Sequence, residues 1–408
     1  VNLELICSVW SNQDLSEIPH LTIATLYTTM TEWFCRRYLM SQNHAIQMLS
    51  ESEEEIYEYC QTQLTFLENL AFHATDSNTI IIRPSLLNSV LEQTNIKSQD
   101  YTQTIKIGLL KSFDKQITGN ALELKKDHYF IHLSFQEYFA ARYLVRMLNE
   151  QSINEAKQYI NRHKYNQRYI LVFHFMAGLI SEKHSNLKRQ MFWDIILGEP
   201  SDMVGIRHMQ LVVTCIDAAS DITTVPNQSE LLKWIANYTQ HNITQSHEIN
   251  SNQITQHLTT AESVTNNKTL LEMLILLLQN NDTNIKTRTL LVFCRLNITN
   301  QLDKISSIIA NSLTHQDENV RQTACVALGK MGAKAATTDV ILQLVSALEH
   351  QDHRVRECAC ELLDKMGEKA ATNEVITKLA SALEHEDYRT RQSACEALGK
   401  MGEKAATT

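Results

Sequence analysis

The chain is poor in the two residues that most often interrupt helices. Its 408 residues include only 4 prolines and 10 glycines, and no run of 18 apolar residues occurs. Without such a run, no membrane-spanning helix of ordinary length is expected, and the apolar stretch at 270–278 predicts a buried helix instead. With 43% hydrophobic and 20% charged residues, the composition is typical of a soluble helical protein, and the length predicts two or three domains.

An excess of positive charge is also lacking. The formal net charge is −9, and residues 304–408 contain 13 Lys or Arg against 15 Asp or Glu. Because a nucleic-acid-binding surface normally carries a basic stripe, we expect neither a nucleic acid nor a membrane as partner.

The motifs of common catalytic and metal sites are missing. The sequence has no G-x-x-x-x-G-K-[ST], G-x-G-x-x-G, G-x-S-x-G or H-E-x-x-H, so nothing predicts a phosphate-binding loop, a catalytic residue or a cofactor in this chain. His241, His247 and His257 are six and ten residues apart, so no two of them share a helix face at a spacing of four. We interpret them as solvated surface rather than as metal ligands.

Nine cysteines occur without a C-x-x-C pair. Cys325, Cys360 and Cys395 recur at a fixed spacing, on what we predict to be the buried side of a repeat. Cys358 and Cys360 would point about 200° apart on one helix, which predicts no redox or metal motif. The cysteines are therefore interpreted as packing residues of a cytoplasmic protein. Glycosylation sequons leave secretion as an alternative; they include those at Asn227, Asn237, Asn242 and Asn297.

What the chain does contain is a repeat at its C-terminal end. Segments 304–338, 339–373 and 374–408 align without a gap, and the last two share 23 of 35 residues. A degenerate copy precedes them at 269–303. A fixed period of this size predicts a solenoid, and solenoids usually present surfaces that hold partners.

Each repeat predicts two antiparallel helices. In 339–373, apolar residues recur at helical spacing in both halves, Asp352 is placed to cap the second helix, and Gly367 fits a left-handed C-cap. One helix pair cannot bury both of its apolar stripes, so neighbouring repeats must stack.

The pattern D-x-x-V-R-x-x-A-x-x-A-L-x-x-M-G resembles HEAT repeats of the short, HEAT-like class. The resemblance implies that an aspartate in the turn and an arginine in the second helix link adjacent repeats; these are Asp317, Arg321, Asp352, Arg356, Asp387 and Arg391. Positions that differ between copies on this constant frame predict a partner-binding surface, with neutral sequence drift at the surface as the alternative; they are Gln351, Glu386, His353 and Tyr388.

The N-terminal third carries a second pattern. Helical spacing at 21–39 and 53–74 is followed by a short apolar run, a further helix, and a strand that continues into a helix at 127–145. This order is typical of a winged helix. Ser134 and Glu137 predict a capping box at the start of the last helix.

The segment FIHLSFQEYFAARYL resembles the winged helix of NACHT-type signal-transduction ATPases of the STAND class, which includes animal inflammasome receptors. The resemblance implies a helical-domain remnant at 1–45 and a winged helix at 46–148. It also implies that His132 contacts the phosphate of ADP once the missing NACHT core is present; a packing role is the alternative. By position, 149–268 is an irregular helical connector and 269–408 the array.

These patterns predict a predominantly all-α fold with short strands in the winged helix and an α-solenoid after it. The chain starts inside a helical pattern and stops where another repeat would begin, so we interpret it as a fragment. The expected function is that of a nucleotide-switched signalling scaffold whose array binds protein or senses a ligand. ATP or ADP would bind only the full-length parent, which is expected to oligomerise on activation. Alternatives are a plain HEAT adaptor and, on the repeats alone, a bilin-lyase-like enzyme.

Overall fold

A computed structural model describes residues 22–42, 52–96, 98–113, 123–149, 151–183, 186–202, 205–219, 222–245 and 248–401. These residues are mainly helical, with two short strands, as the predicted fold class requires. Within the same ranges, no helix is both long and apolar enough to cross a bilayer. The predicted helix at the start of the chain lies outside them.

The chain forms two compact units, Val1–Pro226 and Asn227–Thr408. The boundary falls inside the segment that the sequence assigns to a connector. The four-part division at 45, 148 and 268 stays a prediction.

The first unit contains ten described α-helices, with 3₁₀ turns at Glu123–Lys125, Gln167–Tyr169 and Ile222–Thr224. The helices are α1 (Ile23–Ser41), α2 (Glu53–Tyr59), α3 (Gln61–Asp76), α4 (Pro84–Thr94), α5 (Ser98–Ile107), α6 (Leu133–Met147), α7 (Ile153–His163), α8 (Ile170–Lys183), α9 (Asn186–Leu197) and α10 (Ile206–Ala218).

Two antiparallel strands lie between α5 and α6. Strand β1 (Leu110–Phe113) pairs with β2 (Asp127–Phe130) so that Leu110 lies opposite Phe130, and both side chains are buried. Ile82, between α3 and α4, forms an isolated bridge with His128 on the other side of β2. The segment therefore runs helix, bridge, two helices, two strands, helix.

Aromatic side chains fill the core where α1, α6 and α8 meet. The ring of Tyr27 lies 4.8 Å from that of Phe135 and 5.0 Å from that of Phe175, and all three residues are essentially inaccessible to solvent. Edge and tilted contacts of this kind add to the free energy of burial. This packing fixes the orientation of the N-terminal end of α6.

The predicted capping box at that end is wrong. His132 is the N-cap of α6, and its Nδ1 accepts a hydrogen bond from the Ser134 backbone N–H at 3.2 Å. Ser134 is instead buried, and its hydroxyl contacts the Tyr27 hydroxyl. The reason is geometric. The helix begins at Leu133, so Ser134 lies inside its first turn and not at the N-cap. A capping box does form at the start of α2, between Ser52 and Glu55.

The second unit contains eleven described α-helices, with 3₁₀ turns at Ser312–Thr314, Gly332–Ala335 and Gly367–Ala370. The helices are α11 (Gln228–Thr244), α12 (Glu248–Thr259), α13 (Glu262–Thr265), α14 (Lys268–Leu278), α15 (Thr283–Phe293), α16 (Leu302–Asn311), α17 (Glu318–Met331), α18 (Thr338–Ala347), α19 (His353–Met366), α20 (Asn373–Ala382) and α21 (Tyr388–Lys400). The polar stretch at 237–269 is thus mainly helical where it is described, with breaks at 260–261 and 266–267.

The repeat predicted at 339–373 consists of α18 and α19. Thr337 caps α18 by accepting a hydrogen bond from the backbone N–H of Val340, and Gly367 ends α19 with a φ of +58°. That φ is positive, but the ψ of −138° lies outside the left-handed helical region that the sequence predicted. The position still favours glycine because a Cβ would be strained there. Leu344 of α18 and Leu363 of α19 are fully buried, and burying a leucine stabilises a fold by about 1.5–3 kcal/mol.

Candidate functional site

The aspartates predicted to cap the second helices occupy the N-cap of α17, α19 and α21. Asp317 accepts from the Asn319 N–H at 2.8 Å, Asp352 from Arg354 at 3.0 Å and Asp387 from Arg389 at 3.1 Å. The backbone hydrogen bond, with help from the nearby Arg321 guanidinium, holds the pKa of Asp352 below its usual value.

The three arginines reach back to the turn of their own repeat. Each Nη1 donates to two backbone carbonyls: Arg321 to residues 315 and 316, Arg356 to residues 350 and 351, and Arg391 to residues 385 and 386, at 2.7–2.9 Å. This geometry fastens each second helix to the turn before it.

Two of these arginines also reach the next repeat. Arg321 Nη2 lies 2.8 Å from Asp352 Oδ2, and Arg356 Nη2 lies 3.5 Å from Asp387 Oδ2. Arg356 is buried, and its Nε donates to the Thr390 hydroxyl at 3.2 Å. The pairs form a ladder along the stacked repeats.

A column of histidines completes each turn and was not found from the sequence. His315, His350 and His385 accept, through Nδ1, the backbone N–H of the capping aspartate two residues later, at 3.0–3.1 Å. The recurring H-x-D pattern could have revealed it. Because Nδ1 accepts, a neutral ring carries its proton on Nε2.

A groove of about 560 Å³ lies along the second helices of the three complete repeats. Its charged side chains have both signs, and Arg354 forms an ion pair with Glu318 across it. Both partners are more than half exposed, so the pair is easily exchanged for another ligand. Val326 adds a 48% exposed apolar side chain. The charged lining residues are Glu318, Arg321, Arg354, Glu357, Glu361 and Arg389.

The predicted partner-binding residues lie beside this groove, and none of them lines it. Gln351 and Glu386 are exposed in the turns, and Tyr388 is 61% exposed at the start of α21. His353, at the equivalent position of α19, has its Nδ1 3.7 Å from Asp352 Oδ1.

The interpretation of the recurring cysteines as buried packing residues is only partly right. Cys325 and Cys360 are buried, but Cys325 is also joined to Cys358 by a disulfide bond, and Cys395 is exposed. A comparison of Cys358 with Cys360 on the same helix misses this pair, because the partner of Cys358 lies on the preceding repeat. Cys395 belongs to α21, over which the described residues place no further helix.

His132 is exposed at the N-terminus of α6. Partial burial lowers the pKa of its imidazole. Its Nδ1 is engaged by Ser134, through both the backbone N–H and the hydroxyl. In the described part of the chain, no three His, Cys, Asp or Glu side chains converge as metal ligands would.

The family model for HEAT repeats matches residues 305–376 and 341–408. Together these matches span about a quarter of the chain, and that part consists of HEAT repeats. No curated protein matches the chain.

Among solved structures, a designed armadillo repeat protein in complex with the peptide (KR)4 is 15% identical, over 64% of this chain and all of that one, with a TM-score of 0.30. Kap121p bound to Pho4p is 12% identical over 95% of this chain and 43% of that one, with a TM-score of 0.41. Importin beta is 12% identical over 91% of this chain and 51% of that one, with a TM-score of 0.39. These similarities are too low to indicate a partner for this chain.

Proposed function

We propose that the chain is a scaffold whose HEAT array binds a protein segment in the groove along α17, α19 and α21. The observation that carries the proposal is that the residues of the ladder are constant between repeats, whereas those that line the groove vary. The caps and arginines of the ladder recur in each repeat, whereas the groove-facing positions change from Gln322 to Glu357 and from Val326 to Glu361. A constant frame with a variable, charged groove fits recognition better than catalysis.

The experiment compares captured proteins for three forms of the full chain. Reversing the charge of both groove arginines, Arg354→Glu with Arg389→Glu, should lower the captured amount of specific partners at least tenfold. Quantitative mass spectrometry measures that amount. Lys334→Glu changes a charge on an exposed turn outside the groove and should leave the partner set unchanged. Equal partner sets for all three forms would contradict the proposal.

We further propose that residues 46–148 are the winged helix of a NACHT-type parent. The order of helices and strands from α3 to α6, with Ile82 bridging β2, supports it, as does the exposure of His132. In the parent, His132 would hold ADP and the closed, inactive state, and the array would act as the sensing arm. We expect the parent to be cytoplasmic and to oligomerise on activation. A plain adaptor without a nucleotide role fits the array equally well.

This chain by itself should neither bind nor hydrolyse nucleotide, because its sequence has no G-x-x-x-x-G-K-[ST] loop, whose contacts to the phosphates provide much of the stabilisation in such sites. Calorimetric titration of ADP and ATP into the 408 residues should show no saturable heat below millimolar concentration. Binding of ADP or ATP at micromolar concentration would contradict this prediction.

In the parent, two substitutions of His132 separate its possible roles. Asn keeps an N-cap side chain but removes the imidazole, whereas Ala removes both. If His132 binds phosphate, both variants should weaken ADP binding by roughly tenfold or more. If it only caps α6, His132→Asn should bind ADP as the parent does, and the adaptor alternative gains support.

A further inference from the structure

One inter-repeat interface of the array carries a covalent link. Cys325 of α17 and Cys358 of α19 are joined by a disulfide bond, with their Cα atoms 6.2 Å apart and a sequence separation of 33. Both cysteines line the groove. Cys358 is partly exposed, so a small thiol can reach this disulfide from solvent.

The repeat register shows that the link is specific to this interface. Cys325 recurs as Cys360 and Cys395, but the position of Cys358 is held by Thr323 in the repeat before and Ser393 in the repeat after. Cys360 therefore faces a serine where Cys325 faces a cysteine. By the same register, a single substitution would complete a second cysteine pair.

The same interface is also held by weaker contacts. Arg321 pairs with Asp352, and Arg354 pairs with Glu318. Partly exposed ion pairs of this kind contribute little to stability and weaken with salt. The covalent bond therefore adds a link that the apolar packing and the ion pairs do not supply, and it acts on these two repeats alone, because each repeat of a solenoid contacts only its neighbours.

We propose that Cys325 and Cys358 form a reversible redox clamp. The clamp links the first complete repeat to the second and leaves the next interface without a covalent bond. The clamp closes by thiol–disulfide exchange with a small-molecule disulfide. The two thiols give up two protons and two electrons, an S–S bond forms between them, and the oxidant leaves as two thiols. An excess of small thiol reverses each step. The inference does not depend on the identity of any groove partner.

The neighbouring thiol is unsuited to compete in this exchange. Cys360 is fully buried, and burial raises the pKa of its thiol to about 12. Because the thiolate is the attacking species, Cys360 stays reduced while the groove pair cycles.

The test uses the full chain equilibrated with either oxidised or reduced glutathione, then alkylated and mapped by mass spectrometry. We expect residues 325 and 358 to be joined in the oxidised sample and alkylated separately in the reduced one. The midpoint of thermal unfolding should rise by about 5–10 °C on oxidation, since the bond closes a loop of some thirty residues. Hydrogen exchange in α17 and α19 should slow in parallel.

Three variants make the result decisive. Cys358→Thr restores the residue of the preceding repeat and should abolish the oxidation-dependent shift. Ser393→Cys places a thiol opposite the buried Cys360 and should leave the shift as in the parent chain, because Cys360 stays reduced. Cys395→Ser is the control and should behave as the parent chain does. The proposal fails if both groove thiols remain alkylatable in excess oxidised glutathione, or if Cys358→Thr shows the same shift.

Discussion

At the scale of single residues, Glu137 shows how packing changes the chemistry of one side chain. It is half-buried on α6, and burial raises its pKa from 4.5 to about 7, against the opposing effect of Arg168. The folded protein therefore holds this proton where the unfolded chain has released it. Stability from this group is fully present below pH 4.5 and is lost as the pH rises to 7.

Replacing Glu137 with Gln removes that titration. Relative to the parent chain, Glu137→Gln should become more stable by about 1–3 kcal/mol between pH 4.5 and 7, and the difference should stay constant above that. Urea unfolding at several pH values measures it. A difference that does not change with pH would mean that the carboxyl group is solvated.

Leu363 tests the assignment of the buried face of α19. The side chain is fully buried, so Leu363→Ala should lower the free energy of unfolding by about 2–5 kcal/mol. Leu342 of α18 is 47% exposed, and Leu342→Ala should cost less than about 1 kcal/mol. Chemical unfolding of both variants compares a buried with an exposed leucine of the same repeat, and a loss near zero for Leu363→Ala would show that α19 is rotated from the described orientation.

The limits of the sequence also become clear at this scale. Buried leucines of the repeats were predictable, because a period of 3.6 places them on one side of a helix. The role of Ser134 was not, because the pattern Ser-x-x-Glu fits a cap as well as it fits the interior of a first turn. Only the packing of Tyr27 against Ser134 selects between them.

At the scale of elements, the ladder arginines provide an internal comparison. Arg356 and Arg391 occupy the same repeat position and make the same two carbonyl contacts. Arg356 is buried and also reaches Asp387 and Thr390, whereas Arg391 is exposed. We expect Arg356→Met to cost about 2–4 kcal/mol, because a carboxylate and a hydroxyl lose their partner, and Arg391→Met about 0–1 kcal/mol.

A double-mutant cycle of Arg356→Met with Asp387→Asn would measure how much of this loss belongs to the pair. Equal costs for the two arginines would mean that the ladder contributes nothing beyond fastening each helix to its own turn.

Helix pairs were predictable as elements because the signals that make them are local: a capping aspartate, an apolar stripe and a glycine after the helix. The groove and the disulfide were not, since both depend on which faces of successive second helices meet. The cysteine at 358 becomes informative only when it is compared with Cys325 in the preceding repeat, as a contact between repeats rather than within one.

At the scale of the whole molecule, the division after Pro226 places α11 to α13 in the same unit as the array. Contacts within that unit agree. Arg288 of α15 donates to the backbone carbonyl of Ile243 at 3.0 Å. Asn266 accepts from the backbone N–H of Thr299 at 2.6 Å and from that of Asn300 at 3.1 Å. Asn267 caps α14 by accepting from the Thr269 N–H. An array that began at residue 269 would lose all of them.

Two fragments therefore differ in expected behaviour. Residues 227–408 alone should give a helical circular dichroism spectrum and unfold within about 3 °C of the corresponding transition in the full chain, because that unit keeps its own core. Residues 269–408 should unfold at a temperature lower by roughly 5 °C or more, since the first helix of the array loses its cap and exposes the face that α11 covers. Scanning calorimetry of both fragments and the full chain, all under reducing conditions, makes the comparison. If the shorter fragment is as stable as the longer one, α11 to α13 add nothing to the array, and the boundary read from the sequence repeats is the better one.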